Sequence, residues 1–212
     1  MGRPNRTESK TDGRTVILAN GTFPRKGGRS WAVLGAATRV VACDGAARTY
    51  RRRFGRWPDV IVGDLDSLGA VPVGTDVPRV VRVAEQETND LAKAIRLCAK
   101  EGWRNPVVVG AVGKREDHAI GNVFRALESR VELVTDEGTF RPVVGRVSLT
   151  VRKGAAVSVF APDPMTRMTS RGLAWPLDGV RFSNLFCATL NRAMASRVTL
   201  TADRAVSVFI GH

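Results

Sequence analysis

Histidine is nearly missing from these 212 residues; the two present are His118 and His212. That scarcity argues against a metal centre built from imidazoles. It also leaves His118 alone to serve any Ser-His-Asp triad, and no GxSxG elbow accompanies it. Cysteine is scarce too. Cys43, Cys98 and Cys187 are far apart and odd in number, with no CxxC spacing. This argues against a thiolate zinc site and a disulfide framework, and the expectation is free thiols in a reducing cytoplasm. No apolar run reaches the roughly 18 residues of a membrane span, so no membrane partner is expected. The opening stretch MGRPNRTESKTDGR carries no apolar signal core, and residues 1–13 read as a flexible tail. Neither a Walker motif nor a GxGxxG fingerprint occurs.

Positive charge is abundant. The formal net charge is +13, with 33 basic residues against 20 acidic, and 27 of the basic ones are arginine. The one dense cluster, Arg48, Arg51, Arg52, Arg53 and Arg56, has only Tyr50 and Phe54 as nearby aromatics. A nucleic-acid-binding protein is one reading of that field. A small anionic substrate such as a nucleotide fits it equally well. The acidic clusters described below favour the small molecule, because carboxylates repel a phosphodiester backbone unless a cation intervenes.

Short apolar runs alternate with helical patterns through the first two-thirds of the chain. TVILAN (15–20), RVVACDG (39–45), DVIVGD (59–64), RVVRVA (79–84), NPVVVGAVG (105–113) and RVELVTD (130–136) read as strands. AARTYRRRFG (46–55), NDLAKAIRLCAKEG (89–102) and DHAIGNVFRALES (117–129) read as helices. The second helix places Leu91, Ala94, Ile95 and Cys98 on one face. All-apolar strands separated by helices predict a parallel sheet covered on both faces. Past Gly145 the pattern changes to RVSLTV, AAVSVFAP, VTLTAD and AVSVFI, with little helical signal. The expected class is α/β: an N-terminal parallel-sheet α/β domain over 14–142, then a small all-β sandwich domain over 143–212.

Several acidic residues fall at the carboxyl ends of the predicted strands, where parallel sheets bind ligands. They are Asp44, Asp64, Asp66, Glu87, Asp90 and Asp117. An extended chain through Asp64 and Asp66 would point both carboxylates to one side, roughly 6.5 Å apart. Their repulsion would be about 2.5 kcal/mol at an effective dielectric near 20. A cation among them relieves that repulsion, and hard oxygen ligands suit Mg²⁺. Taken singly, each aspartate reads equally well as a turn former or a helix cap. Gly21, Gly45, Gly63, Gly110 and Gly113 lie at the same strand-to-loop transitions. Trp175, in GLAWPLDG, has two readings, stacking on an aromatic substrate or packing in the β-region.

The segments ACDGAA, PDVIVGDLDSL, QETNDLAKAI and GAVGKREDHAIGN, in this order, resemble the thiamine pyrophosphokinase family, whose corresponding motifs run approximately DGGAN, PDxIIGDxDS, DxTDxxKA and GxxGGRxDHxxxN. GLAWPLDG and ATLNRA resemble its GLxYPL and GTSNE segments, so the likeness covers roughly residues 15–210. The resemblance implies transfer of a diphosphoryl group from ATP to the hydroxyl of thiamine, Mg²⁺ as cofactor, and a homodimer with thiamine near the subunit interface. It implies metal and catalytic roles for Asp64, Asp66 and Asp90, a phosphate-facing Arg115, and Asp117 as a group that orients or deprotonates the hydroxyl. It places Asn20, Gly21, Asp44, Gly45, Lys114 and His118 on the ATP side, and Thr189, Asn191 and Trp175 on the thiamine side. Three departures stand out. Lys114 replaces a glycine, Glu87 stands where aspartate is usual, and Leu190 and Arg192 replace serine and glutamate. The last pair keeps open a related diphosphokinase acting on another alcohol, such as a hydroxymethylpterin.

Overall fold

The computed structural model describes residues 13–66, 77–85 and 87–212; apart from Gly13, the expected tail lies outside the described residues. The apolar runs of the first part form β1 (Thr15–Leu18), β2 (Arg39–Cys43), β3 (Val60–Gly63), β4 (Arg79–Arg82), β5 (Val107–Val109) and β6 (Glu132–Val134). These six strands lie side by side in the order β6-β5-β1-β2-β3-β4, and every pairing is parallel. Parallel neighbours need crossovers. Helices α1 (Arg29–Gly35), α2 (Ala46–Phe54), α3 (Asp90–Lys100) and α4 (Glu116–Glu128) supply every connection but the one from β3 to β4, which runs partly outside the described residues.

Period-two alternation divides the strand residues between two cores. Val16, Leu18, Val40, Ala42 and Ile61 face α1 and α2, where they meet Leu34, Ala47 and Tyr50. Ile17, Val41, Val60, Val62 and Leu133 face α3 and α4, where they meet Leu91, Ile95, Cys98 and Ala126. Burial on both faces is why these strands read as unbroken apolar runs. Each fully buried aliphatic side chain contributes about 1.5 to 3 kcal/mol. The basic cluster on α2 is partly spent on rings: Arg51 lies 4.8 Å from the Trp57 ring centroid and Arg56 lies 5.5 Å from that of Tyr50. Among the described residues no helix is long and apolar enough to cross a membrane.

The C-terminal part is rich in strands, as expected, but with different boundaries. β7 (Gly138–Thr150) starts antiparallel to β6 and runs on through the expected domain boundary. VTLTAD and AVSVFI, read as two strands, form one bent strand, β11 (Arg197–Gly211). The bend has a cause: pairing with β7 shifts register between Ala202 and Val206, opposite Gly145 at φ 71°. Before the shift β11 pairs with β9 (Met168–Arg171). After it, β11 pairs with β8 (Ala156–Phe160), which carries β10 (Ala188–Arg192) on its other edge. Leu149, Val159, Phe182, Leu200 and Val208 pack into a third core there. Sequence spacing does not signal α1, a short helix whose N-cap, Gly28, offers no side-chain bond and whose first turn has no acid.

Tyr50 is fully buried and its ring stacks on Phe54 at 4.6 Å, but its hydroxyl has no hydrogen-bond partner among the described residues. Tyr50→Phe is therefore expected to leave stability in chemical denaturation unchanged or raise it by about 1 kcal/mol. Tyr50→Ala should lower it by about 3 to 5 kcal/mol. If the phenylalanine variant lost more than about 1 kcal/mol, the hydroxyl would have to be bonded after all.

Candidate functional site

The strand order reverses at β1. The chain moves outward through β2, β3 and β4, then returns to place β5 on the other side of β1. Loops leaving the carboxyl ends of β1 and β5 meet at this switch point, the usual ligand site of such sheets. They are tied by backbone bonds, from the Gly21 amide to the Gly110 carbonyl at 2.7 Å and from the Thr22 amide to the Val112 carbonyl at 2.8 Å. A side chain at position 21 would put its Cβ 2.5 Å from the Gly110 oxygen, so only glycine permits the crossing. A cavity of about 350 Å³ opens here, lined by Asn20, Gly21, Asp44, Asp64, Asp66 and Asp90, with Lys93, Lys114, Arg115 and His118 also on its wall.

Three of the carboxylates converge. One oxygen each from Asp44, Asp64 and Asp90 lies within 4.8 Å of the other two. Asp44 follows β2 directly and is 2% exposed, and its amide still bonds the Val62 carbonyl at 2.9 Å. Gly63 ends β3 and makes room: a Cβ there would sit 3.0 Å from that of Asp44 and 3.4 Å from the Asp90 carboxyl. Asp90 opens α3, which is capped by Asn89 accepting from the Ala92 amide at 3.0 Å. Asn89 also donates to Asn122 on α4 at 2.9 Å, and Asn122 donates to the Ala111 carbonyl at 2.8 Å. The start of α3, the middle of α4 and the loop after β5 are thus tied together at the cavity wall.

The expected extended path through Asp64 and Asp66 is not found. Leu65 is left-handed at φ 72°, and the Asp66 amide turns back to Asp64 Oδ1 at 3.3 Å. This turn breaks the alternation that an extended chain would have imposed. Asp66 is exposed at the wall of the same cavity, while Asp44 takes the third position in the close cluster. Glu87 is exposed and lies off the cavity wall, and Gly45 turns the chain into α2.

Burial pushes the Asp90 carboxyl above its ordinary range, and Asp64 and Asp66 add to the push; the Lys93 ammonium opposes it. The Cys43 thiol is driven well up by burial first and by Asp90 next, which agrees with an inert strand residue. Lys114 adopts the left-handed conformation of the glycine it replaces, at φ 60°, and its ammonium donates to the Asn20 carbonyl at 3.0 Å and Oδ1 at 3.2 Å. Arg115 grips Asp117 at 3.1 and 2.5 Å. That hydrogen-bonded pairing holds the Asp117 carboxyl down at about 2. Asp117 is off the cavity wall, between Arg115 and His118, which are on it. Lys93 and Asn122 were not singled out in the sequence, although both stand inside the motif segments. Both fall on letters of the motif patterns quoted above, the lysine of DxTDxxKA and the last asparagine of GxxGGRxDHxxxN, and these were the available signals.

The residues expected on the thiamine side lie elsewhere in the chain. Trp175, Thr189 and Asn191 line a separate cavity of about 410 Å³ with Leu177, Val180 and Leu190. Thr189 donates to the Phe186 carbonyl at 2.9 Å. The Asn191 amide is committed to the backbone: it accepts from the Trp175 and Arg192 amides at 3.2 and 2.9 Å and donates to the Trp175 carbonyl at 2.7 Å. It therefore fixes the Trp175 segment. Trp175 is 57% exposed, with the Arg192 guanidinium 5.8 Å from its ring centroid.

Two family models match the chain: thiamin pyrophosphokinase, catalytic domain, over residues 31–134, and thiamin pyrophosphokinase, substrate-binding domain, over residues 138–209. The chain is similar to thiamin pyrophosphokinase 1 of Caenorhabditis elegans, with 30% identity over 105 residues, a match that takes in 44% of this chain and 43% of that protein. Its similarity to thiamine pyrophosphokinase 1 of Oryza sativa subsp. japonica is 26% over 227 residues, covering 89% of this chain and 83% of the rice protein. The solved thiamin pyrophosphokinase from Candida albicans has the same fold, with a TM-score of 0.72 at 16% identity, covering 94% of this chain and 89% of that one.

The Arg115–Asp117 pair gives a pH-dependent prediction. A carboxyl with a depressed pKa stabilises the folded state above its unfolded value of 3.8, and that contribution is lost as pH falls through about 2. In NMR titration Asp117 should titrate at about 2, and Arg115→Ala should return it toward 3.8. An ordinary Asp117 value in the unsubstituted protein would show that the pair does not form in solution.

Proposed function

The chain belongs to the thiamin pyrophosphokinase family, and on that premise we propose that it transfers the diphosphoryl group of ATP to the hydroxyl of thiamine, giving thiamine diphosphate and AMP. The observation that carries the reading is the carboxylate cluster of Asp44, Asp64 and Asp90 at the switch point, with Lys114 and Arg115 on the same wall. Acid and base so arranged suit a polyphosphate chain with its counter-ion. They do not suit a bare polyanion.

In the reaction the thiamine hydroxyl oxygen bonds to the β-phosphorus of ATP, and the bond from that phosphorus to the oxygen bridging to the α-phosphorus breaks. The bridging oxygen leaves with AMP, and the hydroxyl proton is released to water. Such transfers depend mostly on positioning and charge neutralisation. Three carboxylates within 4.8 Å form an all-oxygen donor set, which fits Mg²⁺. Asp44, Asp64 and Asp90 would hold the ion, with Asp66 as a further carboxylate on the cavity wall. When bound, Mg²⁺ supplies charge neutralisation to the phosphates. Arg115 binds phosphate oxygens through its guanidinium, and Asp117, ionised at neutral pH, orients that guanidinium. Lys114 exchanges its bonds to Asn20 for a phosphate contact. The crossing at Gly21 lets the nucleotide approach the backbone closely.

The cavity with Trp175, Thr189 and Asn191 has no wall residue in common with the ATP-side cavity. This separation supports a homodimer in which the second copy brings its thiamine-side segment to the first copy's cluster. Cys43, Cys98 and Cys187 are all free, in keeping with a reducing cytoplasm.

The test is AMP release from Mg-ATP with and without thiamine, with the products identified by mass. Thiamine-dependent AMP and thiamine diphosphate are expected. Asp64→Asn should lower turnover on the order of 100-fold or more while the fold is retained. Near-normal turnover in that variant would remove the cluster from the mechanism.

A further inference from the structure

Lys93 is a buried charge at this site that the transfer mechanism leaves unused. Its side chain is 2% exposed, and its ammonium lies 3.2 Å from Asp90 Oδ1. It is on α3, one turn into the helix from Asp90, and reaches the cavity wall beside Asp44 and Asp64. An ammonium taken out of water is strongly destabilising unless it is paired. A mere helix surface pair would leave the lysine in solvent; here it is the lysine that is buried, and the carboxylate, at 27% exposure, that looks outward.

The cluster explains the arrangement. Asp44, Asp64 and Asp90 together carry three formal negative charges, and Lys93 cancels one. Asp66, on the same wall, adds to the negative charge that a divalent cation would meet. With Lys93 the carboxylates can stay folded together before any ion arrives. The same positive charge opposes a cation entering the cluster, because the two repel through a protein interior that screens poorly.

We propose that Lys93 is a positioning residue that acts as the cluster's resident counter-cation: it holds Asp90 in place when the site is free of metal and limits how tightly the three carboxylates bind a divalent ion. This rests on the carboxylate cluster being the metal seat. A cation held too tightly would also retain the diphosphate product, so a built-in restraint favours turnover.

The test compares the 212-residue chain with its Lys93→Met and Lys93→Arg variants, without nucleotide. Mn²⁺ affinity is read from the electron paramagnetic resonance of the free ion, and the thermal midpoint is read in EDTA and in Mn²⁺. Lys93→Met should bind Mn²⁺ roughly tenfold more tightly or better. It should melt below the parent in EDTA and recover most of that loss in Mn²⁺, and if it fails to fold in EDTA it should fold when refolded with Mn²⁺. Lys93→Arg, which keeps the charge, should follow the parent. Equal or weaker Mn²⁺ binding by Lys93→Met, or a stability loss that Mn²⁺ does not repair, would overturn the proposal while leaving the metal seat standing. If Mn²⁺ binds neither protein and shifts neither midpoint, the metal seat fails and the proposal fails with it.

Discussion

Like-charge repulsion among Asp44, Asp64 and Asp90 is the constraint around which the N-terminal half is arranged. Three carboxylates with oxygens inside 4.8 Å would spread apart if their backbones were free to move. They are not free, because each is anchored by something the sheet already requires. Asp44 is held by the hydrogen bond from its own amide to β3, Asp64 by the turn closed at Leu65, and Asp90 by the Asn89 cap on α3. Gly63 contributes by what it lacks, since a side chain would fill the space where Asp44 and Asp90 approach. Lys93 supplies the opposing charge from beneath.

The sheet topology supplies the rest of the site. Because β1 has β2 on one side and β5 on the other, the Asn20 and Lys114 loops belong to different crossovers yet touch. One wall of the cavity is therefore acidic and comes from β2, β3 and α3. The other wall is basic and comes from the β5–α4 loop. This separation of sign across one cavity suits a ligand made of phosphates plus metal. The net +13 of the chain reinforces it, because a positive field draws nucleotide toward a rim whose local charge would otherwise repel it.

Much of this was legible in the sequence because the signals were strong where burial was complete. The short, valine-rich runs of β1, β2, β3 and β5 are buried on both faces, and the amphipathic face of α3 is buried as its spacing predicts. Legibility failed where local chemistry was weak or tertiary. α1 has no capping side chain, and β9 and β10 are polar strands whose pairing is set by partners far away in sequence. The bend that makes β11 one strand depends on a register shift against β7, which sequence spacing does not show. At the site, Asp44, Asp64 and Asp90 were all picked out, but Asp66 was placed by an assumption of extended backbone that the left-handed Leu65 overturns. The motif gave Asp117 an orienting or proton-accepting role toward the hydroxyl, and spacing alone did not show that its carboxylate pairs with Arg115. Asn191, expected on the thiamine side, lines the cavity with Trp175, and its bonds to the Trp175 backbone were not visible in the sequence.

The central claim is that the three carboxylates at the switch point form a metal seat that takes the phosphates of ATP. The most direct measurement is anomalous diffraction from crystals grown with Mn²⁺ and a non-hydrolysable ATP analogue. The account predicts a manganese peak bounded by Asp44, Asp64 and Asp90, with the analogue's phosphates between that peak and Arg115. Manganese elsewhere in the molecule, or an analogue whose phosphates lie away from the β1 and β5 loops, would contradict it.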